Sequence, residues 1–161
     1  MSHEIAFDKA RNQHMVFTAG APAWHALGQN VAEAVAWQEA MRLAGLNWEV
    51  VKDTLYDRDG KIVPAWGIFR LDTGQYLGVV GAQYVPIQNQ FAFDFVDTLV
   101  GTGGAHYESA GALYHGQTIW CLARLPKADG EIVPGDTQQA FLLFTPSHDG
   151  SHSAVCKLVN L

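Results

Sequence analysis

Alternating apolar and polar positions dominate the middle of the chain. Ala65-Trp66-Gly67-Ile68-Phe69-Arg70-Leu71 and Tyr76-Leu77-Gly78-Val79-Val80 are runs rich in β-branched and aromatic residues. Asp72-Thr73-Gly74-Gln75 lies between them and is a turn signal, so the pair reads as a β-hairpin. Trp48 to Leu55 reads as a strand before it. The turn Asp57-Arg58-Asp59-Gly60 joins that strand to one over residues 61–71. Gly78 and Gly81 lack side chains, which predicts a close backbone approach or a bulge there. Pro86 donates no ladder hydrogen bond, so the sheet should stop near it.

Helical spacing flanks these strands. Asn30-Val31-Ala32-Glu33 has the form of a capping box, and Trp37, Met41 and Ala44 then share one face. Gly45 is a C-terminal stop. Asn89 is expected to cap a second helix over Gln90 to Val100, ended by Gly101. Its dry side reads as Phe91, Phe95 and Leu99, its wet side as Gln90, Asp94 and Asp97.

Residues 1–20 have weak periodicity and read as a flexible N-terminal arm. In residues 22–28, Trp24 is expected to dock onto the domain, and His25 beside it is a ligand, a base or a packing residue. After the second helix, strands are expected at Tyr107 to Leu113, Gln117 to Leu125, Gln138 to Thr145 and from Ala154 onward. The stretch from Pro126 to Gly135 reads as a loop, interrupted by Ile132-Val133. The expected fold class is α+β: an antiparallel sheet with a helix–three strands–helix core, helices on one face and a second β region. Residues 21–161 form the single expected domain.

The composition fits a folded core, with 48% hydrophobic and 16% charged residues. No apolar run approaches the ~20 residues that span a membrane, and the first residues do not form a secretory signal. Cys121 and Cys156 read as buried thiols of a reducing compartment. The formal net charge of −6 argues against a broadly basic nucleic-acid surface and leaves room only for a local stripe.

The strongest candidate functional loop is His148-Asp149-Gly150-Ser151-His152. His148, Asp149 and His152 could together ligate a metal, but an H-x-x-x-H pair needs a helix to align its rings. Gly150 and the surrounding serines favour a turn, so no metal site is assigned. Ser147 or Ser151 with His148 and Asp149 suggests a hydrolase, yet adjacent loop residues rarely reach triad geometry. No catalytic residue is assigned and no cofactor is required. A separate group on the hairpins suits single strands: Arg58, Lys61 and Arg70 for phosphates, Trp66 and Tyr76 for base stacking. The plain alternative is that these charges solvate the outer face while the aromatics pack inward.

Several segments together carry a family resemblance: residues 22–28 (P-A-W-H-A-L-G), 44–50 (A-G-L-N-W-E-V) and 69–89 (F-R-L-D-T-G-Q-Y-L-G-V-V-G-A-Q-Y-V-P-I-Q-N). To these belong 107–126 (Y-E-S-A-G-A-L-Y-H-G-Q-T-I-W-C-L-A-R-L-P) and 147–151 (S-H-D-G-S). The series resembles the phage/plasmid-like protein family, a domain of unknown function carried by phages, prophages and plasmids. The resemblance implies a mobile-element origin and a bacterial cytoplasm. Members of that family continue past H-D-G-S, so it also implies that these residues form the N-terminal part of a longer pattern. Gly45-Leu46-Asn47-Trp48 followed by strands to Val80 is similar, in topology, to the core of single-strand annealing recombinases. That similarity implies single-stranded DNA as a partner and a homo-oligomer.

The first functional reading is therefore a non-enzymatic binding module of a mobile element, acting on single-stranded DNA. A second is an acidic protein that binds and inhibits a host defence protein. A third is a metal-dependent hydrolase centred on His148 and His152.

Overall fold

The structure is a computed structural model that describes residues 4–20, 26–101, 105–125, 130–133 and 136–160. Four short strands come first: β1 (Phe7–Asp8), β2 (Gln13–His14), β3 (Val16–Ala19) and β4 (Gln29–Val31). Helix α1 (Trp37–Leu43) precedes a meander of β5 (Val50–Tyr56), β6 (Ile62–Arg70) and β7 (Tyr76–Val80). Helix α2 (Asn89–Val100) leads to β8 (His106–Leu113), a 3-10 turn (Tyr114–Gly116) and β9 (Thr118–Arg124). The remaining strands are β10 (Gly130–Val133), β11 (Asp136–Gln138), β12 (Ala140–Thr145) and β13 (Val155–Asn160). The protein is mixed α+β, two helices among mostly antiparallel sheets.

The meander forms one sheet, in the order β5-β6-β7. A six-stranded sheet runs β13-β12-β9-β8-β3-β4, and β1-β2 and β10-β11 are separate ribbons. Among the described strands only β3 and β4 pair in parallel. Phe17, Ala110, Cys121 and Phe144 stand directly opposite one another across β3, β8, β9 and β12, so they share one face. All four are buried, each large one contributing roughly 1.5–3 kcal/mol. Helix α1 packs against β3 and β8, and α2 against β9 and β12. The helices therefore seat on the larger sheet, where the sequence placed them around the meander.

Four further expectations are corrected. The first twenty residues do not end in a loose arm. Met15, Val16 and Phe17 are buried, and β3 fills the sheet between β4 and β8 because its apolar side chains complete the helix-covered face. Asn30 does not cap a helix. It lies in β4, and its Nδ2 donates to Thr18 O, Thr18 Oγ1 and Gly20 O at 3.2 Å, so α1 begins only after Ala36. The buried side of α2 is Asn89, Ala92, Phe93 and Val96, an i, i+3, i+4, i+7 stripe. Phe91 and Leu99 are more than half exposed. Cys156 is exposed, and of the two thiols only Cys121 is buried. Residues 22–25, with Trp24 and His25, lie outside the described residues, as do 126–129 and 134–135 of the expected loop.

The meander keeps its expected order and turns. Gly78 makes the expected close approach: a Cβ there would lie 2.7 Å from Asp149 Cβ and 2.8 Å from Asp149 Cα. Gly81 has nothing within 4 Å of that position, so it makes none. Arg70, Ile68 and Val80 face inward, with Trp66 half-buried beside them; Val51, Phe69, Tyr76 and Val79 face outward.

Candidate functional site

The 147–152 loop is held where the two sheets meet. His148 N donates to Gln117 O at 2.7 Å, and Ile119 N donates to Pro146 O at 3.2 Å. Gln117 Nε2 in turn donates to Leu77 O at 2.6 Å, tying β7 to the same turn. Tyr84 Oη donates to Ser147 O at 2.7 Å. This anchoring drives the His148 ring inward, where it is fully buried.

The partner of that ring is Asn89. Asn89 Nδ2 donates to Leu46 O at 3.0 Å and to Trp48 O at 3.2 Å. Its Oδ1 is left as the acceptor, 2.8 Å from His148 Nε2. His148 therefore carries its proton on Nε2. Nδ1 is buried without a hydrogen-bond partner. Burial pushes the imidazole pKa down to about 4, against the pull of Asp149, so the ring is neutral at pH 7.

The Trp48 ring packs between two groups. His148 meets it edge-on at 5.4 Å, and the Arg70 guanidinium lies 4.4 Å from its centroid. Arg70 is buried, and its Nε and Nη2 donate to the Asp72 carboxylate at 3.0 and 2.7 Å. Burial works to raise the Asp72 pKa, but the bonds from Arg70 outweigh it and hold the group below its ordinary value.

Asp149 and His152 look elsewhere. Asp149 Oδ1 accepts from Ser147 Oγ at 2.6 Å and from Ser151 N at 2.9 Å. Those bonds overcome the effect of burial and keep its carboxyl below the usual range. Ser147 thus donates to a carboxylate rather than to an imidazole, and no nucleophile–base pair is assembled. His152 is exposed; its Nδ1 lies 2.9 Å from Ser153 O and its Nε2 3.4 Å from Thr118 Oγ1. His148 and His152 are committed to different partners. Among the described residues no three His, Cys, Asp or Glu side chains are placed to hold a metal ion.

The five hairpin residues are not gathered into one patch. Arg58 and Lys61 are exposed at the β5–β6 turn. Arg70 is at the other end of β6, roughly 30 Å away at ~3.3 Å per residue, and it points inward, which removes it as a phosphate contact. Trp66 is half-buried on the inner row, with Lys52 Nζ 5.1 Å from its ring centroid. That lysine also donates to Ala82 O at 2.7 Å and Tyr84 O at 2.9 Å. Of these two aromatics Tyr76 is the open one, 49% exposed. Its cross-strand neighbour is Phe69, with ring centroids 5.7 Å apart.

Sequence reasoning missed the roles of Asn89 and Phe69. A polar residue in register with Ala92, Phe93 and Val96 was the available signal for Asn89.

No helix among the described residues is long and apolar enough to cross a membrane. No curated protein and no solved structure matches the chain. A family model, described as a domain of unknown function (DUF932), matches residues 76–160. That stretch runs from β7 through α2 to β13 and takes in the buried His148–Asn89 pair. It covers more than half of the 161 residues, and on that ground the chain belongs to the DUF932 family.

Proposed function

We propose that the protein is a non-enzymatic binding module for single-stranded nucleic acid, with the outer face of the β5-β6-β7 sheet as its platform. The observation that carries this reading is the Phe69–Tyr76 pair. The open ring of Tyr76 stands beside the half-buried ring of Phe69 on the outer face of an antiparallel sheet, and exposed aromatics on a sheet are what bases stack on. Arg58 and Lys61, on the hairpin that extends this sheet, supply charge for phosphates. With −6 overall, binding is weak and falls steeply with salt. A mobile-element origin and a bacterial cytoplasm belong to the same proposal. So does a second copy of the chain, seated along β13, which pairs only with β12 among the described strands.

Electrophoretic retention of a labelled single strand, at low and at moderate salt, tests the proposal. Retention at low salt that is lost in Tyr76→Ala supports it. No retention of the parent removes it. The second reading, a protein partner such as a host defence protein, then takes over the same face. Val51, Leu71 and Val79 favour it, being apolar and 37–63% exposed there.

A further inference from the structure

We infer that the cleft between the N-terminal β1-β2 ribbon and the β8–β9 turn is an anion site for a phosphate group. The inference does not depend on the nucleic-acid reading. The cleft has a volume of about 550 Å³, and Phe7 and Leu27 are among its apolar walls. Lys9, His14 and His115 converge on it. Glu4 is the one carboxylate among its described walls, and a hydrogen bond to the Tyr114 side chain engages it. With histidine counted neutral, as in the net charge of −6, Lys9 is the one cation among those walls and the two imidazoles add polar N–H donors.

The backbone around the cleft is strained. Glu4, Tyr114 and His115 are non-glycine residues with φ of 49°, 50° and 64°. Each such conformation costs on the order of 1–3 kcal/mol and persists only where the surroundings enforce it. Here Tyr114 N donates to Glu4 O at 3.0 Å, and Ile5 bridges to Leu113. Lys9 and His115 make no side-chain hydrogen bond to any described residue, so their donors are uncommitted.

The neighbouring charges do not compensate. A second cleft of about 230 Å³ shares Phe7, Lys9 and His115 with the first and adds Asp8 and Arg70. Asp8 is occupied by the backbone N–H groups of Ala10 and Arg11, with Arg11 Nη1 3.8 Å away. Arg70 is paired with Asp72. A tetrahedral oxyanion meets what is left: one ammonium and two imidazoles, whose donors suit phosphate oxygens.

The test is side-chain NMR of the histidines at pH 6. Sodium phosphate is titrated at constant ionic strength against sodium chloride. The expected result is a saturable shift of His14 and His115 with phosphate alone, while buried His148 stays still. Lys9→Gln and His115→Gln should each weaken the binding about tenfold. A second arm compares a dinucleotide with and without a 5′-phosphate. Binding of the phosphorylated form alone identifies a strand terminus as a source of the group. Equal behaviour of both dinucleotides, with inorganic phosphate still bound, identifies the free ion. Shifts that do not saturate by tens of millimolar phosphate, or that survive undiminished in both variants, overturn the site.

Discussion

His148 donates its Nε2–H to Asn89 Oδ1 at 2.8 Å, across 59 residues of sequence. The bond joins the 147–152 loop to the first turn of α2, and Asn89 passes it on to the backbone at Leu46 and Trp48. Replacing Asn89 with Leu would strand the Trp48 carbonyl and one imidazole N–H in the core, since Leu46 O keeps the Trp48 N–H at 2.8 Å. The expected cost is roughly 3 kcal/mol, whereas loss of an ordinary helix cap costs ~1 kcal/mol. Urea unfolding of Asn89→Leu separates the two. A loss no larger than that of a cap would remove the buried role of this amide.

Acid should act through the same pair. The folded imidazole titrates at about 4 because burial disfavours its charge, against 6.5 in the unfolded chain. The unfolded state takes up the proton first, so this contribution leaves stability intact above pH 6.5 and erodes it between 6.5 and 4. The gap corresponds to roughly 3 kcal/mol at the acid end. His148→Gln keeps a donor for Asn89 and cannot titrate. Its unfolding midpoint should fall less than the parent's between pH 7 and 4.5, and parallel curves would count against the assignment.

Two glycines, Gly78 within β7 and Gly81 just after it, should respond differently. In Gly78→Ala the new methyl meets the Asp149 backbone, and the expected loss is about 1–3 kcal/mol. Gly81→Ala meets nothing within 4 Å and should stay within ~0.5 kcal/mol of the parent. Thermal melts of both variants check this, and equal melting temperatures would contradict the close approach at Gly78.

Among the basic residues, only Arg70 should matter for folding. Arg70→Gln breaks an ion pair whose guanidinium is buried and whose carboxylate is exposed, and uncovers Trp48, at an expected cost of about 1–3 kcal/mol. Arg58→Gln and Lys61→Gln lie on an exposed turn and should leave the melting temperature unchanged. If these two retain structure and lose oligonucleotide binding, the platform extends to the hairpin tip.

Tyr76→Ala is the sharpest variant for the proposed platform. Stacking on one aromatic ring is worth ~1–3 kcal/mol per base, so single-strand affinity should drop by about 5- to 100-fold with folding intact. Filter retention of a labelled strand measures it, and an unchanged affinity excludes Tyr76 from the contact.

The meander was legible because its information is local. Alternation and the turns at 57–60 and 72–75 lie within a few residues of the strands they define. Helix α2 carries two apolar stripes, Phe91-Phe95-Leu99 and Ala92-Phe93-Val96. Their composition does not say which meets the core. The deciding residue, Asn89, looks polar and is buried because three distant groups complete its hydrogen bonds. Asn30 shows the converse: a correct local capping pattern overruled by a strand alongside. The 147–152 loop read rightly as a turn, but the inward path of His148 is set by Gln117 and Asn89, far off in sequence.

The position of β3 has a consequence for how the chain is born. Its nearest antiparallel partner, β8, is made about ninety residues later; Phe17 O accepts from Ser109 Oγ across 92 positions. At ribosomal speeds of ~5–20 residues per second, the apolar run Met15-Val16-Phe17 waits roughly 5 to 20 s for its neighbour. Through that interval the nascent chain offers a sticky, unpaired edge. The larger sheet closes around β3 only once β8 has been made, so synthesis, rather than local folding, sets the pace of that part of its core.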